Sequence, residues 1–178
     1  MRTWVLGLAL FTAPCFPAEA RDARNFVLNG WMASSFQDPT GRFSHCSAVA
    51  FFAAGTSAVV KVDRDYTWSL GFGISTWRFD KKTVQLDYSF DGGPWQDGNG
   101  KVQNPRFVTL FTKTRASVTE LLKDRRSMEI QLDGESLYFQ LYNSNELLER
   151  LAGCYRQAIS IRLPLSPVCK KPSYISQK

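Results

Sequence analysis

The sequence predicts a mainly β domain, either a β-sandwich or a curled antiparallel sheet, with two covering α-helices in its second half. The first observation is strict alternation: Val84, Leu86, Tyr88 and Phe90 are separated by polar residues, as in a strand with one buried face. The second is the frequency of turn residues between short apolar segments. The third is a pair of leucine-rich segments preceded by helix-capping residues, both after residue 116.

Composition indicates one folded domain. The chain has 178 residues, of which 44% are hydrophobic, and its formal net charge is +6. This length supports one sizeable core, and this composition excludes general disorder. We expect a single domain over residues 21–169, followed by a basic tail over residues 170–178.

Residues 1–20 have the form of a secretory signal peptide. Arg2 provides the positive start, residues 5–13 form an apolar run, and Ala18-Glu19-Ala20 matches a small-x-small cleavage site. The apolar run is too short to span a bilayer comfortably, and no later apolar stretch reaches membrane-spanning length. We therefore expect cleavage near Ala20, no transmembrane segment in the mature chain, and a periplasmic or secreted product.

Eight or nine short strands are expected. The aromatic segment 43–79 has few charges and should lie in the middle of the sheet. Asp38-Pro39-Thr40-Gly41 predicts a tight turn before it, because proline presets the bend and glycine closes it. The strands expected in the first half are 31–37, 43–52, 58–62, one around Trp68, and 84–90.

The second half combines strands with the two helices. Residues 91–104 form the longest polar segment and are expected to be a loop, followed by a strand over residues 106–112. Ser117 and Glu120 match a capping box for a short helix, and Asp133-Gly134 predicts a hairpin turn. Asn143 should cap the longer helix. A last strand is expected over residues 159–163, ended by Pro164.

Three cysteines remain after residue 20: Cys46, Cys154 and Cys169. Export favours disulfides, and the favoured pair is Cys154 with Cys169, which closes a short loop. The alternative pairs Cys46 with Cys154 and joins the central strands to the second helix. No metal site is expected, because the cysteines lack paired spacing and His45 faces away from Cys46 on a strand. No cofactor is expected either.

The segment 107–154, FVTLFTKTRASVTELLKDRRSMEIQLDGESLYFQLYNSNELLERLAGC, resembles the second half of bacterial invasion-associated locus B family proteins. The shared layout is strand, short leucine helix, hairpin, and a longer leucine helix ending near a cysteine. The resemblance implies a small exported β-rich protein of the periplasm or surface, linked to host-cell entry and without an established catalytic site. The chain departs from the family in lacking paired cysteines in each half.

Catalysis is not expected, although a hydrolase is the alternative. His45 is the one histidine, and its neighbours Ser44 and Cys46 should point to the opposite face of a strand. The sequence contains no nucleophile elbow, zinc-helix motif or phosphate loop. A hydrolase would have to combine His45 with a nearby carboxylate, Asp63 or Asp65.

Candidate binding residues fall into two types. The basic residues are Lys81, Lys82, Arg125 and Arg126, which could attract a protein, an acidic glycan or a lipid headgroup. A nucleic-acid partner would match the positive charge of these residues, but it is not expected in the periplasm or outside the cell. The aromatic residues are Trp95, Tyr138 and Tyr142, which could form a recognition surface. Each set has a structural alternative. The basic residues could simply be solvated surface charges, and Trp95 could cover a sheet edge. The two tyrosines could be covered by the second helix or by another sheet.

Overall fold

The computed structural model describes residues 25–112 and 117–160. Within these residues ten antiparallel strands form one sheet, with the order β1-β2-β3-β4-β5-β8-β7-β6-β9-β10. The strands are β1 (Asn25–Leu28), β2 (Trp31–Gln37), β3 (Phe43–Phe51), β4 (Thr56–Asp63), β5 (Trp68–Ile74), β6 (Thr83–Phe90), β7 (Gln96–Asn104), β8 (Phe107–Thr112), β9 (Ser127–Leu132) and β10 (Glu135–Gln140). The helices are α1 (Val118–Leu122) and α2 (Ser144–Ser160). The expected fold class, mainly β with two helices in the second half, is confirmed.

The sheet consists of two halves joined at β5 and β8. Strands β1 to β5 follow one another as neighbours, whereas the second half has the order β8-β7-β6-β9-β10. The joining ladder contains four residue pairs, from Leu70 with Leu110 to Gly73 with Phe107. This short ladder is the backbone connection between the two halves of the sheet in the described residues.

The sheet curls until its far strands meet. Phe139 of β10 packs against Phe72 of β5 and Phe52 after β3, with ring centroids 4.9 and 5.3 Å apart. Near the same contact, the indole of Trp77 donates a hydrogen bond of 3.2 Å to Glu135. Because strands that are distant in the sheet share one core, the architecture is the curled sheet rather than two stacked sheets.

Helix α2 packs on the concave face of the sheet and is bonded to it covalently. Its residues Leu147, Leu151 and Cys154 are buried, and the helix contacts β2, β3 and β4. Cys154 forms a disulfide with Cys46 of β3, with the two Cα atoms 6.3 Å apart. The observed disulfide is therefore the pairing that the sequence analysis gave as its alternative, Cys46 with Cys154. The favoured prediction, Cys154 with Cys169, is wrong. Cys169 itself lies outside the described residues.

The largest difference from expectation is β7, which occupies most of the segment expected to be a loop. Gly98 and Gly100 explain the difference, because their lack of side chains admits neighbouring apolar groups. A Cβ atom on Gly100 would lie 2.2 Å from Val108 Cγ1 and 2.8 Å from Val84 Cγ2. A Cβ on Gly98 would lie 2.9 Å from Leu110 Cδ1. The glycines thus mark close packing within a strand rather than a flexible loop.

Two other segments differ from expectation. Strand β1, which begins at Asn25 and pairs with β2, was not among the expected strands, the first of which began at residue 31. Ile159 was assigned to a last strand, but α2 continues to Ser160 because its apolar face continues to pack on the sheet. Residues 161–163 of that predicted strand lie outside the described residues.

The predicted turns at residues 38–41 and 133–134 and the predicted cap of α1 are confirmed. Asp38 Oδ1 accepts hydrogen bonds from the backbone amides of Thr40 and Arg42. The hairpin turn has positive φ at both Asp133 and Gly134, as a type I′ turn requires. Ser117 and Glu120 form a reciprocal capping box at α1.

Candidate functional site

Three connections meet at one end of the sheet. They are the β6–β7 turn over Asp91–Trp95, the α1–β9 connection over Lys123–Arg126, and the β10–α2 connection over Leu141–Asn143. We call this surface the loop face. It contains four of the seven residues that the sequence nominated for binding, namely Trp95, Arg125, Arg126 and Tyr142.

Asp91 holds two of these connections together. Its Oδ1 accepts hydrogen bonds of 2.9 Å from the backbone amides of both Arg126 and Ser127. Its Oδ2 lies 3.6 Å from the guanidinium of Arg125. Partial burial acts to raise the pKa of Asp91, but the two amides and Arg125 outweigh it and lower the pKa below its ordinary value. The carboxylate therefore stays charged and fixes the loop.

Arg125 is also held by an aromatic ring. Its guanidinium carbon lies 5.5 Å from the ring centroid of Phe90, within cation–π distance. The backbone carbonyl of Arg125 accepts a hydrogen bond of 3.0 Å from Ser144 Oγ. Arg125 is therefore positioned by contacts to β6, the β6–β7 turn and the start of α2.

The β10–α2 connection places Tyr142 beside both arginines. The amide of Leu141 donates a 2.7 Å hydrogen bond to the Arg126 carbonyl, and Asn145 Oδ1 accepts one of 2.8 Å from the Asp124 amide. A shallow hollow of about 560 Å³ results. It is lined by Asp124, Arg125, Arg126, Tyr142, Asn143, Ser144, Asn145 and Glu146.

Trp95 and Tyr138 are exposed, as Tyr142 is. Their exposed fractions are 48% and 60%, and that of Tyr142 is 53%. Ser89 Oγ donates a 2.8 Å hydrogen bond to the Gly93 carbonyl and so shapes the turn before Trp95. The strand that follows Trp95, β7, lies inside the sheet, so there is no sheet edge there for Trp95 to cover. Tyr138 lies on β10 opposite Glu129 of β9.

Lys81 and Lys82 lie elsewhere. They precede β6, and the Lys82 carbonyl accepts a hydrogen bond from Val102 near the far end of β7. The eight residues of β6 separate them from the loop face by roughly 25 Å. The structure therefore does not combine the two lysines and the two arginines into one basic patch.

His45 lies on β3, half-buried, with its ring stacked on Phe36 at a centroid distance of 4.7 Å. Burial, followed by the nearby Lys61 charge, lowers the pKa of His45, while Asp63 acts in the opposite direction. Asp63 is the cross-strand partner of His45, but its carboxylate lies 3.0 Å from Lys61 Nζ. Asp65 is exposed in the β4–β5 turn.

One contact of Ser44 was not expected from the sequence. Ser44 Oγ lies 3.0 Å from His45 Nδ1, within hydrogen-bond distance, although adjacent strand residues project to opposite faces. A hydroxyl so close to the backbone can reach the neighbouring ring. Asp91 and Asn145 were also missed, because their importance comes from contacts 35 and 21 residues away in sequence.

The described residues contain neither a candidate metal cluster nor a candidate membrane-spanning helix. In residues 25–112 and 117–160 no group of three or more histidine, cysteine, aspartate and glutamate side chains could hold a metal ion. No helix in the same part of the chain is long and apolar enough to cross a membrane.

Comparison with known proteins identified a similar fold. No family model matches the chain, and no curated protein matches it by sequence. The crystal structure of invasion associated protein B from Bartonella henselae is similar, with a TM-score of 0.56 and 13% sequence identity. The match covers 75% of this chain and 97% of that one. The weak resemblance inferred from residues 107–154 is thus confirmed as a likeness of fold.

Proposed function

We propose that this is an exported, non-catalytic binding protein of the bacterial periplasm or cell surface, and that it binds its partner through the loop face. The observation that carries the proposal is that the loop face combines exposed Trp95 and Tyr142 with Arg125 and Arg126. Tyr138 is also exposed, on β10, the strand that leads into this face. Tyrosine, tryptophan and arginine are the residues most enriched at energetically important positions of protein interfaces.

Export is supported by the form of residues 1–20 and by the disulfide. Cys46 and Cys154 are both fully buried, and a structural disulfide of this kind persists in oxidising compartments. A role in host interaction is proposed by analogy, because the structural neighbour carries the description "invasion associated".

The partner is proposed to carry acidic groups. Arg125 and Arg126 line the same hollow as the exposed Tyr142, and the chain as a whole has a net charge of +6. Arginine binds carboxylates in a bidentate geometry, and tyrosine contributes contact area with a polar end. An acidic protein surface fits these groups, as does an acidic glycan or a lipid headgroup.

Capture from host and envelope extracts tests the proposal. The protein, purified after expression with its own leader, is compared with the triple variant Trp95→Ala, Tyr138→Ala, Tyr142→Ala. We expect the triple variant to lose the partner, since truncation of one central interface residue commonly weakens binding by about 2 kcal/mol or more. A control variant, Val27→Ala, Met32→Ala, Phe51→Ala, removes exposed apolar side chains from β1, β2 and β3 instead. Equal capture by the wild type and the triple variant would show that the loop face is not the binding surface.

A hydrolase that uses His45 is the second candidate, and one contact favours it. Ser44 Oγ and His45 Nδ1 are 3.0 Å apart, and Asp63 lies opposite His45 on the next strand. A fluorophosphonate probe tests this candidate, because it labels serines that a neighbouring base activates. We expect no labelling. Labelling that disappears in both Ser44→Ala and His45→Gln would instead support the hydrolase.

A further inference from the structure

The two halves of the sheet separate beyond their joining ladder. Strand β5 continues beside β4 as far as the pair Val62 with Trp68, and β8 continues beside β7 as far as Gly98 with Thr112. Between β5 and β8, however, the ladder ends at Leu70 with Leu110. The ends of these two central strands therefore diverge, at a place where neither strand is a sheet edge.

A hollow of about 530 Å³ lies at this divergence. Its volume is within the range of small-molecule sites in proteins. The first residues of α1, Ser117 and Val118, form one wall. Strands β4, β5, β7 and β8 supply most of the other lining residues, among them Lys61, Asp63, Ser69, Gln103, Phe107, Thr109 and Phe111.

The polar groups of the hollow favour a ligand without net charge. Among the described lining residues the charged ones are Lys61 and Asp63, whose Nζ and Oδ1 atoms form an ion pair of 3.0 Å, so that these two charges offset one another. The other polar side chains, including Ser69, Thr109 and Gln103, are neutral hydrogen-bonding groups. An anionic ligand would have to draw Lys61 away from Asp63, whereas a purely apolar ligand would leave the hydroxyl groups without partners.

Aromatic rings complete the hollow. Phe107 lies against Gly71, where a Cβ atom would come within 2.4 Å of its ring, so the position of Phe107 depends on that glycine. Phe111 also lines the hollow and is 51% exposed, and therefore offers a flat apolar surface to a ligand. A flat apolar surface surrounded by hydroxyl, amide and carboxylate groups complements a sugar ring, which has C–H faces and an equatorial rim of hydroxyls.

Trp68 also lines the hollow, so its indole group can report on binding there.

We propose that this hollow is a binding site for a neutral saccharide of one or two rings. One ring lies on Phe111, and its hydroxyls exchange hydrogen bonds with Ser69, Thr109 and Gln103. The site is separate from the loop face, and neither proposal depends on the other.

Titration of ¹⁵N-labelled protein with glucose, galactose, N-acetylglucosamine and maltose tests the site by NMR. The indole N–H resonance of Trp68 is assigned by its disappearance in Trp68→Phe. With at least one of these sugars we expect a saturable shift of this resonance, with a midpoint in the millimolar range, and weaker binding of the anionic glucuronate.

Two phenylalanine variants provide the comparison. Phe111→Ala should weaken binding by about three- to tenfold, because it removes the stacking surface. Phe51→Ala is the matched control, since Phe51 is 68% exposed and lies outside the hollow, and it should bind as the wild type does. The proposal is overturned by no saturable shift with any of the four sugars, by unchanged affinity in Phe111→Ala, or by tighter binding of glucuronate.

Discussion

Asp91 illustrates how one side chain organises the loop face. Its carboxylate connects a turn after β6 with the beginning of β9, 35 and 36 residues later in the chain. Its backbone φ of 53° is in the left-handed region, which aspartate and asparagine tolerate better than most residues. The position thus combines a backbone requirement with a need for negative charge.

Asp91→Asn separates these two requirements. Asparagine keeps the backbone preference and an acceptor oxygen but removes the charge that Arg125 and the two amides stabilise. We expect a loss of about 1–2 kcal/mol in the free energy of unfolding at pH 7, measured by urea denaturation. Asp133→Asn, at an exposed hairpin position with φ of 51°, is the control and should change stability little.

The pH dependence of this effect follows from the pKa of Asp91, which is lower in the folded protein than its usual value of 3.8. The stabilisation is therefore complete above the unfolded-state pKa and is lost as pH falls through the folded-state pKa. The stability difference between wild type and Asp91→Asn should decrease below about pH 4. A difference that stays constant down to pH 2 would contradict this account.

At the scale of elements, β7 shows that glycine in a strand can be a packing residue. Gly98 and Gly100 lie between β6 and β8, where the side chains of Leu86, Val108 and Leu110 occupy the space beside them. The polar composition of residues 91–104 therefore predicted a loop where the structure has a strand. The signal was misleading because neighbouring strands supply the apolar side chains that cover the inner face of β7.

Gly100→Ala tests this packing. The new Cβ atom would meet Val108 at 2.2 Å, and we expect a loss of about 1–3 kcal/mol from overpacking. Gly153→Ala is the contrasting variant: it lies in α2, no atom lies within 4 Å of its added Cβ, and it should stabilise the protein by about 0.5–1 kcal/mol. Urea denaturation measures both, and equal effects of the two substitutions would contradict the packing account.

At the scale of the whole molecule, the Cys46–Cys154 disulfide joins the first half of the sheet to the last helix. The two cysteines are 108 residues apart in sequence, so the bond restricts a large part of the unfolded chain. It acts together with the burial of Leu147 and Leu151 against the concave face of the sheet.

Removal of this disulfide should destabilise the folded protein. We expect Cys46→Ala with Cys154→Ala to lower the free energy of unfolding by about 2–5 kcal/mol, measured under non-reducing conditions. Cys169→Ser should leave the disulfide in place and should change stability much less. A non-reduced peptide map provides the independent check, and a peptide containing Cys154 linked to Cys169 would contradict the observed pairing.

Features that depend on residues close together in the chain could be predicted from the sequence. Alternation over residues 84–90 predicted β6, the residues Asp133 and Gly134 predicted a hairpin, and Ser117 with Glu120 predicted the cap of α1. These predictions succeeded because backbone preference and the two-residue period of a strand act over a few residues. The signal of the aromatic residues was equally local: Trp95, Tyr138 and Tyr142 are exposed, and their role in binding stays a prediction.

Which distant segments meet became known from the three-dimensional structure. It paired Cys154 with Cys46, placed Gly98 and Gly100 inside the sheet, and separated Lys81 and Lys82 from the arginines. The physical reason is that each of these outcomes depends on strand order and helix docking, which are set by the burial of apolar surface over the whole core. Adjacent residues cannot encode that order, because the same local preferences are compatible with several arrangements of ten strands.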